Sequence, residues 1–244
     1  MSPVIVARDL AIGFPPDPPL LESATFEIDR GEIFAVLGGS GCGKSTLLRC
    51  LIGLEQPLAG TLLVEGSPPE MKVGKPTYGV SFQHGALLGS LTLEENLALP
   101  LTSWTDLPDE AIAPIVRAKL AMVGLDGAAH RLPSEISGGM RKRAAIARAL
   151  MLEPTLLFLD EPSAGLDPIT SAGLDELILT LRRTLGLTVV IVSHELPSIE
   201  RIVDRSIVLD AQARRIVATG APKDLAESDE PRVSDFFHRR WRAA

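Results

Sequence analysis

Short apolar runs alternate along this chain with glycine- and proline-rich turns and with longer stretches of helical periodicity. Residues 4–10 and 26–28 are largely apolar and flank the turn Pro15-Pro16-Asp17-Pro18-Pro19, which predicts two short antiparallel strands. Residues 33–37, Ile-Phe-Ala-Val-Leu, are apolar at every position, the pattern of a strand buried on both faces. That run enters a glycine cluster and then residues 45–52, where leucines recur at helical spacing. Residues 60–64 and 78–81 predict further strands, separated by a polar, proline-rich loop.

From about residue 91 to 150 the pattern turns helical, most clearly over 109–123 and 140–150, with no strong strand among them. Buried strands then return at 156–159, 189–192 and 206–209, alternating with helices at about 168–185 and 196–203. A last short strand is expected at 215–218, then a short helix and a polar tail. The order predicts an α/β protein with an antiparallel β portion and an inserted helical portion.

Composition narrows the classes. The 244 residues are 45% hydrophobic and 23% charged, which suits a globular core and argues against disordered, collagenous and coiled-coil readings. With a net charge of −7, seven Phe, two Trp and one Tyr, the chain has neither a general basic field nor a stacking platform for nucleic acid. Any anion site must therefore be local. No apolar run approaches the ~20 residues that cross a membrane, and no secretory signal is visible at the start. Cys42 and Cys50 lie close together where a disulfide would staple nothing, so a reduced, cytoplasmic protein is expected.

The local anion site is Gly38-Gly-Ser-Gly-Cys-Gly-Lys44-Ser45, which satisfies G-x-x-x-x-G-K-[ST] with a strand before it and a helix after it. Glycines let main-chain amides wrap phosphates, and the following helix presents its positive end. Gly38, Gly39, Ser40, Gly41, Cys42 and Gly43 are candidate nucleotide contacts, with Lys44 reaching the β- and γ-phosphates, Ser45 a Mg²⁺ ligand and Thr46 beside it. Leu156-Leu-Phe-Leu-Asp160-Glu161 supplies the second part. An apolar strand ending in two carboxylates can deliver Asp160 to the metal shell and Glu161 to the attacking water.

Ser137-Gly138-Gly139-Met140 opens the helix Arg141-Lys-Arg-Ala-Ala-Ile-Ala-Arg-Ala-Leu150 and forms a second cluster of free amides. Here the chain resembles the nucleotide-binding subunit of an ATP-binding cassette (ABC) transporter, whose signature is a serine and two glycines before such a helix. The resemblance covers essentially the whole chain and implies a P-loop NTPase (RecA-like) core. It implies one cassette over 1–244, with the nucleotide-binding core at 1–86 and 152–226, a helical subdomain at 87–151 and a tail at 227–244. It also implies a head-to-tail dimer, in which the signature of one copy closes over the ATP of the other. Gln83 resembles the glutamine that touches Mg²⁺ or the attacking water beside the transmembrane partner. Asp167, in Ser163-Ala-Gly-Leu-Asp167, resembles the aspartate that communicates between the two sites, and His194 the histidine at the γ-phosphate. Phe14 stands where the family places an aromatic on adenine, although a core role would also suit it. Ile136 and Met140 depart from the leucine and glutamine common in the signature.

Within the family, Ile136-Ser-Gly-Gly-Met-Arg-Lys-Arg143, Phe82-Gln-His-Gly-Ala-Leu-Leu88, Asn96-Leu-Ala-Leu-Pro100 and Gly165-Leu-Asp-Pro-Ile-Thr170 are together similar to the MlaF type. That type energises phospholipid trafficking between envelope membranes. Its partners are an MlaE-like permease, expected against residues 83–100, an MCE-domain protein and a small cytoplasmic regulatory subunit. The resemblance implies a peripheral protein on the cytoplasmic face of the inner membrane. Two alternatives stand beside it: the ATPase of a small-solute ABC importer or exporter, and a soluble ABC factor acting on DNA or ribosomes, which the acidic charge and single cassette disfavour. The tail Asp229-Glu-Pro-Arg-Val-Ser-Asp-Phe236 resembles the type's ending and docks either on a neighbouring subunit or on its own domain. Cys42 is either a regulatory thiol or a tolerated small side chain.

Overall fold

The computed structural model describes residues 3–69 and 76–238. In chain order its elements are β1 (Ile5–Ile12), β2 (Leu21–Ile28), β3 (Ile33–Gly38), α1 (Lys44–Leu51), β4 (Ala59–Val64), β5 (Tyr78–Ser81), α2 (Leu93–Trp104), α3 (Asp109–Met122), α4 (Gly138–Ala149), β6 (Leu156–Asp160), α5 (Pro168–Leu185), β7 (Thr188–Val192), α6 (Leu196–Ile202), β8 (Arg205–Asp210), β9 (Arg215–Gly220), α7 (Pro222–Ala226) and α8 (Pro231–Phe237). They fall into two units, Met1–Met71 with Thr188–Ala244, and Lys72–Leu187.

In the first unit β1 is flanked by β2 and β4 in an antiparallel sheet. β2 begins five residues before the expected run. Leu21, Ala24, Phe26 and Ile28 turn inward while Glu22, Ser23, Thr25 and Glu27 face out, and a register shift between Leu10 and Ile12 breaks the simple alternation that would have marked the strand. β3 is buried at all six positions, as its unbroken apolar run requires, and lies between parallel β7 and β8, with β9 antiparallel to β8. On this sheet Ala35, Leu37 and Val208 share a core with Leu196, Ile199, Leu225, Val233 and Phe237. Helix α8 therefore docks on its own unit, through Val233 and Phe237. The basic residues beyond His238 lie outside the described residues.

In the second unit β5 and β6 form a parallel pair, from Tyr78 beside Leu156 to Ser81 beside Leu159. α4 packs over β5, and a Cβ at Gly79 would overlap the Ala149 carbonyl, so the glycine sets how closely the helix approaches. Thr92 caps α2 in a reciprocal capping box with Glu95, Ser137 caps α4, and Asp167 caps α5, which ends at left-handed Gly186. Asn96 is fully buried, and its amide donates to the carbonyls of Leu88, Leu91 and Thr92 while accepting from the Leu88 amide. One polar side chain thus fixes the loop into α2 with its hydrogen bonds satisfied.

Candidate nucleotide and hydrolysis site

The phosphate loop leaves the C-terminal end of β3. Gly38 has φ +145°, and a Cβ there would lie 2.5 Å from the Leu209 carbonyl and 2.6 Å from Cys42 Sγ, so only glycine fits against β8. Gly39, Ser40, Gly41 and Ser45 are exposed, whereas Cys42 and Thr46 are buried. Helix α1 begins after left-handed Gly43, with no side-chain cap and no acidic residue in its first turn, which leaves its first amides available to an anion. Lys44 Nζ donates to the carbonyls of Gly38 at 2.9 Å and Gly39 at 2.8 Å, so the ammonium lies folded over the loop. These features fit a nucleotide phosphate. β7 pairs with β3 at Val36 and Val192, so His194 leaves the same sheet edge as the loop, half-exposed and 3.8 Å from Glu195. Phe14 is 47% exposed on the turn after β1, which presents its ring rather than burying it in the core. Both cysteines are free, and burial pushes their thiols up, Cys50 to about 11.

The remaining candidates lie in the second unit. Gln83 follows β5, Asp160 ends β6 and Glu161 comes directly after it. Because the strands are parallel and in register, the amide and the carboxylates leave one edge. Glu161 is buried with a left-handed backbone, φ +46°, an uncommon conformation for a glutamate and one that clusters at functional sites. Lys142 Nζ donates to the Gln83 carbonyl at 2.5 Å and to the Glu161 carbonyl at 2.7 Å. Burial holds that ammonium below the ordinary lysine range, against the opposing pull of Glu161 and Asp160. Ser137 accepts from the Met140 amide at 3.2 Å and stays exposed at the tip of α4. A Cβ at Gly139 would overlap Thr170 Cγ2 on α5, so the second signature glycine is also a packing requirement. The hydroxyl of Thr170 and the amides of Thr170 and Ile169 donate to Asp167 and hold its carboxyl below the usual aspartate range.

The sequence profile of the family described as "ABC transporter" matches residues 21–164. The intermembrane phospholipid transport system ATP-binding protein MlaF of Escherichia coli K12 is 40% identical over 224 residues, 89% of this chain and 82% of that protein. The chain belongs to the ABC transporter family. A probable ribonucleotide transport ATP-binding protein, mkl, of Mycobacterium tuberculosis is also 40% identical, over 90% of this chain but 62% of its own length, so the chain spans under two thirds of that relative. Among solved structures, cbiO1 of Clostridium perfringens, part of the cbiONQ ABC transporter complex, aligns with a TM-score of 0.85 at 27% identity, covering 94% of this chain and 93% of that one. A dimeric ATP-binding cassette bound to ADP and Pi in a post-hydrolysis state aligns at 0.78 with 26% identity, over 89% of this chain and 98% of that one. The fold is thus that of an ABC ATPase cassette, the α/β architecture expected from the element order. No helix among the described residues is long and apolar enough to cross a membrane.

In the sequence the basic residues after the signature read only as part of a helix. In the cassette Arg141 donates to the carbonyls of Pro133 and Ile136, Arg143 to Val123 and Gly173, and Arg148 to Gly85 and Ala86. The helix pins the loops around it through main-chain carbonyls. One signal for this is present in the sequence: Lys142 sits with Gly139, Ala145 and Ile146 on the buried stripe of α4, where an apolar residue is the norm.

Proposed function

We propose that this chain is the ATP-hydrolysing subunit of a membrane ABC transporter that energises phospholipid trafficking between envelope membranes with an MlaE-like permease. The observation that carries the hydrolytic part is the Gln83 and Glu161 pair on one edge of the β5 and β6 strands, joined through Lys142. Amides of the Gly38–Gly43 loop wrap the phosphates and Lys44 exchanges two carbonyls for phosphate oxygens. His194 meets the γ-phosphate, and Phe14 stacks on adenine. Glu161 orients and deprotonates the attacking water, with Gln83 beside it.

Ser45, Gln83 and Asp160 offer the oxygen donors that suit Mg²⁺. Among the described residues no cluster of three or more His, Cys, Asp or Glu could hold a metal, so these donors would share the ion with nucleotide phosphates. When bound, Mg²⁺ neutralises charge developing on the transferred phosphoryl group. Two copies face head to tail: Ser137, Gly138 and Gly139 of one cover the phosphates held by the other, and Asp167 links the two sites.

For the permease, support comes from a groove of about 300 Å³ lined by Tyr78, Leu99, Pro100, Trp104 and Arg148, with Trp104 43% exposed. The occupant is a permease segment, with an MCE-domain protein and a small regulatory subunit completing the complex at the cytoplasmic face of the inner membrane. The lipid cargo rests on the likeness to MlaF and on Met140 after the two glycines. The test is ATP turnover of the purified complex in nanodiscs with and without added phospholipid, alongside outer-leaflet lipid content in a deletion strain. Turnover indifferent to lipid together with unchanged lipid asymmetry removes the lipid cargo. A second reading, transport of a small polar solute, is favoured by the equal identity to the protein named for ribonucleotide transport. Turnover that answers to such a solute and not to lipid would select it.

A further inference from the structure

Four cations project from α4 to main-chain carbonyls, and Lys142 is the buried one, 9% exposed. An ammonium withdrawn from water is costly unless its protons are taken up, and an aliphatic side chain would fill this position on the apolar stripe without that cost. The two carbonyls that Lys142 does take up belong to Gln83 and Glu161, which reach this point from separate strands. Glu161 also has the left-handed backbone, and its carbonyl accepts from the Ala164 amide at 3.3 Å as well as from Lys142.

We propose that Lys142 is a positioning residue for hydrolysis: its ammonium clamps the Gln83 and Glu161 main chains together, so that the water-orienting amide and the carboxylate are held as one body. This rests on the hydrolytic reading of Gln83 and Glu161 given above. Arg148 extends the clamp by one turn of loop. It donates to the Ala86 carbonyl at 2.7 Å and to Gly85 at 3.2 Å while lining the groove beside Leu99 and Trp104. A segment seated in that groove would therefore press on the same loop whose start Lys142 ties to Glu161.

The experiment compares ATP turnover across ATP concentration, and the thermal melt, for the wild-type full chain, Lys142→Met and Lys142→Arg. Methionine keeps the length of the stem and removes the donors; arginine keeps a buried cation. A misplacement of about 1 Å in a catalytic constellation costs on the order of 100-fold, so the methionine variant is expected to lose roughly 10- to 100-fold in kcat with KM for ATP within about threefold. The arginine variant recovers most of that loss, and both melt cooperatively. A folded methionine variant with wild-type kcat overturns the proposal, as does a loss carried by KM alone or an arginine variant as slow as methionine. Should Lys142→Met not fold, Lys142→Leu, which also removes every donor and suits a buried helical position, stands in its place under the same criteria. A wild-type chain with no ATP turnover would instead remove the hydrolytic reading, an outcome distinct from a variant that matches an active wild type.

Discussion

The phosphate loop and the Gln83 and Glu161 edge, both assigned to ATP in the proposed function, are built from different materials. Between Gly38 and Lys44 the loop is mostly main chain, with left-handed glycines at 41 and 43 and a lysine that donates to the carbonyls of Gly38 and Gly39 and to Cys42 Sγ. The other edge is held by side chains from elsewhere, Lys142 and Arg148 on α4. A main-chain cradle is local and survives many substitutions, provided the glycines remain. An edge held by side chains depends on single buried donors, so one truncation leaves main-chain groups unsatisfied.

Glu161→Gln presses hardest on this contrast. The proposed base contributes about 10²- to 10⁴-fold, so phosphate release should fall by that factor while ATP affinity stays near wild type. Turnover at the wild-type rate would take Glu161 out of the chemistry. Lys44→Ala is expected to do the reverse, weakening ATP binding by roughly 10- to 100-fold, because a charge-assisted hydrogen bond is worth about 1.5–3 kcal/mol. Calorimetric titration with ATP reads this directly, and an unchanged Kd would mean that amides alone hold the phosphates.

The same contrast decides what was legible. The glycine motif and its flanking strand and helix are contiguous, so residues 33–52 disclose the loop's setting, and the expected strand at 78–81 and helix at 168–185 match the bounds of β5 and α5. The Asp160–Glu161 pair is legible as carboxylates ending an apolar run, and Gln83 through the family resemblance. Their shared edge is not, because it depends on the parallel register of β5 with β6. Lys142 is harder still: its partners are carbonyls, and a carbonyl carries no mark of residue type. The tail was open for a related reason. Val233 and Phe237 suit any apolar surface, and only the fold shows Leu37, Ile199 and Val208 as the surface they meet.

Gly139 gives a smaller test on the side of the edge held by side chains. Gly139→Ala places a Cβ onto Thr170 Cγ2, and overpacking of this kind costs about 1–3 kcal/mol. Thr170→Ser deletes that methyl but keeps the hydroxyl that donates to Asp167, so adding it should restore much of the stability lost in denaturant unfolding. Costs that simply add, with no relief in the double variant, would show that the second signature glycine is needed for some reason other than this contact.

The smallest effect is one of pH, and it separates the two regions by their chemistry. The phosphate loop, residues 38–45, contains no carboxylate, whereas α5 begins on the Asp167 carboxylate. Hydrogen bonds from the Thr170 hydroxyl and amide, with a weaker one from Ile169, hold that carboxyl below its ordinary 3.8. A carboxylate with a depressed folded-state pKa contributes stability that is present above the unfolded value and is lost as pH falls through the folded one. Thermal melts of wild type and Asp167→Ala should therefore differ by a constant amount from about pH 7 to 5, and the gap should narrow once the pH drops below 3.8. It narrows rather than closes, because a protonated aspartate still accepts a hydrogen bond from the helix amides. Glu95, held low by Thr92 at the start of α2, titrates in both proteins and cancels in the difference. A gap unchanged down to acid unfolding would mean that the cap acts through its shape alone, whatever the charge on Asp167.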